Sequence, residues 1–523
     1  MIAVAAISLV LGAAAMGWAA DQPKKGGWII YGRGGDSVGL DPINVTDGES
    51  LKVARNIFDG LVAYEKHSTD VVPALATKWE VSKDEKTWTF YLRKGVKFHD
   101  GASFDADAVV FNFERWMNKD NPYHQGEFEY YGYMFGGYPG IIKSVKAKDD
   151  FTVVFTLDKP QATFLSNLAM DCFGISSPAG IKKWGADYFK HPVGTGPFSF
   201  KEWVKDDKIV LDANKNYWGE GPYVDGVIYR AIADNSARLM ELQSGAINMA
   251  DGINPDEVSL IKKDKNLKVY LRPAMNVGYL AMNFDKKPFD NVLVRRAINY
   301  AIDKKAIIAA FYAGLAEPAK NPMPPMMWGY NTAIKDYDYD PAKAKELLKQ
   351  AGFPNGFKTT LWAMPVPRPY MPQPRKIGEA IQGYLAAIGV QAEIVSWDWA
   401  TYLAKTENGE HDMALLGWTG DNGDPDNFMY VLLDKDNAVK GSAGNIAFYR
   451  SDKLHDVLIK AQQVSDKTTR TKLYKDAQVI IHNDAPWVPI AHSLAPTAAD
   501  ASIRNYVPHP TGAEPFNDIW FDK

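Results

Sequence analysis

Cysteine is nearly missing from this sequence: Cys172 stands alone in 523 residues. One thiol can build neither an intramolecular disulfide framework nor a cysteine-based zinc site. A charge excess is missing too, since 59 Lys and Arg face 63 Asp and Glu for a net charge of -4. Such balance offers no electrostatic footprint for nucleic acid. Beyond the N-terminus no run approaches the ~18 consecutive apolar residues of a membrane-spanning helix, which excludes a polytopic helical membrane protein. Two catalytic signatures are also lacking: there is no P-loop lysine motif and no H-E-x-x-H. Gly32-Arg33-Gly34-Gly35 lacks the G-x-G-x-x-G spacing and reads as a turn. The nine histidines are scattered, and His99 in Phe98-His99-Asp100-Gly101 reads as a structural turn residue. Asp421, Asp424 and Asp426 crowd together, but Pro425 and the lack of a glutamate-terminated loop argue against a calcium loop. The expectation is a protein that is not an enzyme and takes no metal or cofactor.

What is present is a large, aromatic-rich chain. Its length exceeds one ordinary core, so two or three domains are expected. Aromatics at 12% exclude wholesale disorder. Met1 to Ala20 carries no charge and is dominated by Ala, Val, Ile, Leu and Gly, followed by Asp21-Gln22-Pro23-Lys24-Lys25. This reads as a secretory signal, residues 1–20, cleaved near Ala19 or Ala20; Gly17-Trp18-Ala19 fits the small-x-small rule better. No Lys or Arg precedes the apolar run, and an uncleaved anchor is the alternative. No cysteine sits near the processing site for a lipoprotein, so the bacterial periplasm is the expected compartment.

Short β-rich runs alternate with amphipathic helical ones, which suggests α/β lobes. Trp28 to Tyr31, Thr87 to Leu92 and Phe151 to Leu157 read as strands. Val292 to Ile308 reads as one helix with an apolar stripe through Val294, Ala297, Ile298, Ala301 and Ile302, capped by Phe289-Asp290-Asn291. Pro341 to Ala351, Lys376 to Ile388, Asp452 to Val464 and Thr468 to His482 are further helices, and Val390 to Val395 is a strand.

Two segments combine charge, aromatics and rigid turns. In Leu361 to Pro372, prolines bracket Arg368 while Trp362 and Tyr370 flank it. A guanidinium held this way can bind a carboxylate through two parallel hydrogen bonds. In Leu416 to Phe428, an apolar strand, Met413 to Leu416, runs into a loop carrying Trp418 and Asp421, an acid suited to an ammonium group. On composition alone, Arg368 and Asp421 could equally pair with other groups of the protein.

These segments, with Pro73-Ala74-Leu75-Ala76, Leu92 to Asp100, Gly194-Thr195-Gly196-Pro197-Phe198, Asn276 to Leu280 and Met327-Trp328-Gly329-Tyr330, resemble the extracytoplasmic peptide-binding receptors of ATP-driven importers, solute-binding family 5. The likeness runs from Trp28 to the C-terminus and is narrowest toward the dipeptide receptors, at Leu361 to Tyr370 and Gly417 to Phe428. It implies an α/β, two-lobed periplasmic binding protein fold of type II (cluster C) with an inserted domain. Lobe one would take residues 21–58, 193–273 and 492–523, the inserted domain 59–192, and lobe two 274–491.

By the same resemblance, Arg368 would pair with the ligand's C-terminal carboxylate, with the Tyr370 phenol beside it. Asp421 would hold the α-ammonium, and Trp418 would face the cleft. Thr46 and Gly48 match a Thr-x-Gly that closes onto the peptide backbone. Asp47 departs from the usual neutral residue; it would either bias selection toward cationic ligands or simply face solvent. The partners implied are a dipeptide and the inner-membrane permease subunits of an ABC importer, with the receptor a monomer. Whether a chemoreceptor also reads the closed form is left open. Met429 to Phe448 diverges from the relatives, so its side-chain pocket contacts do not transfer. The rival readings are the same fold with a longer peptide, an opine or a haem-type ligand, a secreted hydrolase, and a chaperone-like envelope protein.

Overall fold

The computed structural model describes residues 22–522, so the secretory segment 1–20 and its cleavage near Ala19 or Ala20 lie outside the described residues. The patterned strands assemble into three main sheets. The first has seven strands in the order Leu267–Arg272, Ala495–Asp500, Met249–Ala250, Trp28–Arg33, Gly226–Ala231, Lys208–Ala213 and Phe198–Val204. Its centre is parallel, Trp28–Arg33 pairing with both Gly226–Ala231 and Met249–Ala250. Ile29 and Tyr31 face a core with Val53, Ile57, Val227 and Phe516.

The second sheet has six strands in the order Ala316–Pro318, Trp487–Ser493, Asn276–Met282, Met413–Thr419, Lys358–Trp362 and Gln391–Val395. Every residue of Asn276–Met282 is buried, as expected of a strand covered on both faces. The chain passes between these two sheets twice, after Arg272 and after Ser493. The Asn276 amide ties the two passages together: its Nδ2 donates to the Ser493 carbonyl at 2.7 Å, and its Oδ1 accepts from the Ser493 N–H at 3.0 Å.

The third sheet is antiparallel, in the order Ala76–Val81, Thr87–Leu92, Thr152–Leu157 and Ile142–Asp149. Alternation in Thr87–Leu92 turns Phe90 and Leu92 inward. Phe90 and Phe113, the latter from the helix Ala106–Met117, both meet Phe155 edge-on. Among the described residues, no helix is long and apolar enough to cross a membrane.

Three local expectations need correction. Val292 to Ile308 is two helices, Val292–Ala301 and Lys304–Phe311. The Asp303 carboxylate accepts from the Ala306 N–H at 2.9 Å and so caps a new helix where continuous apolar periodicity suggested an unbroken one. Gly32 and Arg33 belong to the first strand, not to a turn, because buried Arg33 is held inside by Asp36, Ser37 and the Glu49 carbonyl. The strand Met413–Thr419 likewise takes in Gly417 and Trp418, which the sequence pattern put in a loop; pairing with Asn276–Met282 carries it on. His99 is partly buried, its Nε2 lying 2.9 Å from the Gly196 carbonyl.

Candidate functional site

The paired strands explain the site's floor. Gly278 and Gly417 lie directly opposite each other in the register. A Cβ on Gly417 would fall 2.2 Å from the Tyr370 ring, and one on Gly278 would fall 2.7 Å from the Tyr370 carbonyl. Only two glycines here let the Arg368–Met371 turn lie flat on the sheet. That turn is closed by reciprocal backbone bonds, Arg368 N–H to the Met371 carbonyl at 3.1 Å and the reverse at 2.9 Å. The Ser493 hydroxyl donates to the Pro369 carbonyl at 2.6 Å, and the Tyr312 hydroxyl donates to the Tyr370 carbonyl at 3.0 Å.

The Arg368 guanidinium leaves this rigid turn and stacks on Trp399, 4.2 Å from the ring centre. Trp362, expected to flank it, is buried instead among Tyr402, Trp397 and His411. Across the cleft the Glu49 Oε1 meets Arg368 Nη1 at 3.2 Å. The Tyr370 hydroxyl is enclosed near the Met364 sulfur at 3.9 Å, and burial pushes its pKa up to about 12.

Asp421 sits where the strand Met413–Thr419 ends. Its N–H donates to Asn427 Oδ1 at 2.9 Å, and Asn427 Nδ2 returns a bond to Asp421 Oδ2 at 3.0 Å. The Trp418 indole also donates to Asn427 Oδ1, at 3.0 Å. The Tyr130 hydroxyl, from the helix Glu129–Phe135, donates to Asp421 Oδ1 at 2.8 Å. Burial first, with Asp171 adding a like charge, raises the Asp421 pKa to about 7. Asp424 and Asp426 do not join it. Asp424 forms a two-pronged pair with Arg470, and Asp426 accepts from Gln462. Among the described residues, Asp434, Asp436 and His455 could share a metal ion, but none of them lines the cleft, and Asp434 caps a short helical turn there.

The opposite wall is the segment Thr46 to Lys52. Gly48 opens the helix Gly48–Ile57, and a Cβ there would meet nothing within 4 Å, so its backbone borders open space. Asp47 does not face solvent: at 6% exposure it caps the helix, Oδ1 accepting from the Glu49 and Ser50 N–H groups. Its Oδ2 is buried without a partner, and burial raises its pKa.

Thr46, Gly48, Arg368, Tyr370, Trp418 and Asp421 all line one cavity between the two large sheets. Sequence reading overlooked Tyr130, Glu49, Trp399, Asn427 and Glu407. Asn427 lies inside the segment Leu416 to Phe428, but Tyr130 and Glu49 reach their partners across 291 and 319 residues, which no local pattern records.

Residues 70–440 match the family described as bacterial extracellular solute-binding proteins, family 5 middle. The chain is 42% identical over 506 residues to the dipeptide-binding protein of Escherichia coli (strain K12), covering 94% of each. It is 40% identical to heme-binding protein A of Haemophilus influenzae, covering 94% of this chain and 92% of that one. Among solved structures it is similar to the ABC transporter-associated periplasmic binding protein DppA from Helicobacter pylori in complex with peptide STSA. That likeness has a TM-score of 0.91 at 41% identity, covering 96% of this chain and 99% of that one.

Proposed function

The chain belongs to the bacterial extracellular solute-binding proteins of family 5, and from that premise we propose that its cleft captures dipeptides and delivers them to an ABC importer. It is a substrate-binding receptor for peptide import, and its relatives are binding proteins rather than enzymes. The observation that carries the reading is the meeting of Arg368 and Asp421 in one interlobe cavity, each rigidly supported. Arg368 receives the carboxylate of a zwitterion and Asp421 its α-ammonium, while Thr46 and Gly48 close on the backbone between them. Tyr370 and Trp418 shape the floor. Charges enclosed in this way lose water, so each needs a satisfied partner, and the fixed spacing of the two anchors measures ligand length.

Lobe one is built around the seven-stranded sheet from residues 21–58, 193–273 and the C-terminal segment, with 59–192 inserted. Pairing of Trp487–Ser493 within the six-stranded sheet supports beginning that last segment at Leu494, two residues after 492. The Glu49–Arg368 pair bridges the lobes, and closure around ligand presents a surface that the inner-membrane permease reads. Export to the periplasm, with signal cleavage near Ala19 or Ala20, completes the reading.

A thermal-shift screen across dipeptides tests it. Ligand at 100 times its Kd adds about 2.7 kcal/mol of stability, a clear rise in Tm. The Helicobacter pylori neighbour holds a peptide written STSA, so a longer peptide is the second reading. Tripeptides and tetrapeptides belong in the same screen, and a shift only with these would favour that reading over the dipeptide.

Asp421 also sets a pH dependence. An ammonium favours the ionised carboxylate, whereas the empty site titrates near 7. Affinity for Ala-Ala is therefore expected to fall as pH drops below about 7, and again above about 8 as the ligand's own amine deprotonates. Calorimetry from pH 5 to 9 checks this; a flat acidic limb would contradict the role.

A further inference from the structure

The basic groups of the cleft are all engaged. Arg368 faces Glu49, Lys52 faces Asp251 and Glu49, and Arg272 faces Glu514. Of the acids that line the cleft, Asp171 is paired with Arg55. Asp47, Glu407 and Asp421 have no ion pair among the described residues. A zwitterionic ligand brings one ammonium, assigned to Asp421. The remaining carboxyl groups on the cleft wall face no cation among the described residues within ion-pair distance, and a positively charged group on the ligand would match them. Asp47 points the same way: it is more than nine-tenths buried on the cleft wall, and its Oδ2 has no partner.

Glu407 is the better placed of the two. It ends the helix Trp399–Glu407, at the negative pole of the helix dipole, where a carboxylate is disfavoured. Burial, with the like charge of Glu129 from the inserted segment, pushes its pKa up to about 8. Among the described residues no hydrogen-bond donor or cation reaches its side chain, and nearby Lys405 is turned to Glu410. The Tyr133 hydroxyl donates instead to the Ser442 carbonyl at 2.8 Å. Nothing in the fold's own stability calls for an acid here. The adjoining wall, Leu403, Leu432, Ala443, Gly444 and Ile446, is apolar or small. An aliphatic stem ending in a positive charge matches both features.

We propose that the cleft selects short peptides carrying a lysine or arginine side chain, with Glu407 receiving the side-chain cation, a proposal that rests on reading the cleft as a peptide site. Calorimetry on the purified full chain would compare Lys-Ala, Ala-Lys and Ala-Arg with Met-Ala, Ala-Met and Ala-Ala. At least one basic dipeptide should bind roughly tenfold or more tighter than its methionine counterpart, as for a hydrogen bond to a charged group. Glu407→Gln should reduce that ratio toward one. Because the substitution removes a half-buried carboxyl with no partner among the described residues, the Tm should not fall, so a lost ratio cannot be blamed on unfolding. Equal affinity of the unmodified protein for lysine and methionine dipeptides would overturn the proposal and leave the peptide reading standing. A ratio that survives in Glu407→Gln would overturn the role of Glu407. If no dipeptide binds at all, the peptide reading fails and this inference with it.

Discussion

Asp421→Ala is expected to weaken dipeptide binding by roughly 2–5 kcal/mol, the cost of truncating one member of a desolvated charge pair. The carboxylate is half-buried on the cleft wall and is already held by the Tyr130 hydroxyl and the Asn427 amide, so a ligand ammonium meets an acceptor that needs no rearrangement. In the variant that ammonium would be enclosed without a counter-charge. An N-acetylated dipeptide supplies the control. It should bind the unmodified protein far more weakly than the free dipeptide, while the variant should hardly distinguish the two. Calorimetry of this cycle measures the coupling directly, and unchanged affinity in Asp421→Ala would sink the assignment.

Arg470→Ala is expected to lower stability by about 3–5 kcal/mol, the usual result of breaking a buried ion pair. Arg470 and Asp424 meet through two contacts of 2.8 Å, with side chains only 7% and 8% exposed. Without Arg470, Asp424 keeps an enclosed charge, and it lies beside Asp426, whose pKa burial and that neighbouring charge already raise to about 7. The same pair braces the turn between Asp421 and Asn427, so ligand affinity should drop as well. Pairing Arg470→Met with Asp424→Leu removes both charges and should recover most of the stability, because a packed apolar pair carries no orphan. Denaturant unfolding followed by tryptophan fluorescence reads both variants; a loss under 1 kcal/mol in Arg470→Ala would show that the pair does not hold the loop.

Local patterns were the readable part of the fold. Thr87–Leu92 was legible because alternation places Phe90 and Leu92 on one face, and the helix Pro341–Gln350 because Pro341 fits a first turn. The failures are equally local in origin. Apolar spacing ran on through Ile302, so it could not register that Asp303 restarts the helix. Gly417 and Trp418 looked like loop residues because glycine usually punctuates strands; here the missing side chain makes room for Tyr370.

By itself the sequence determined the α/β class, the lack of an intramolecular disulfide, and a resemblance narrow enough to single out Arg368 and Asp421. Those are properties of residue types and of spacings within a few turns of chain. Only the tertiary structure decided what each charge faces. It put Glu49 on Arg368, Tyr130 on Asp421 and Trp399 under the guanidinium, and it made Asp47 a helix cap rather than a solvent-facing acid. Burial and counter-charge are set by segments hundreds of residues apart that share a cleft only once the lobes have packed. For that reason the near-zero net charge of the chain says nothing of how acids and bases are distributed around its cleft.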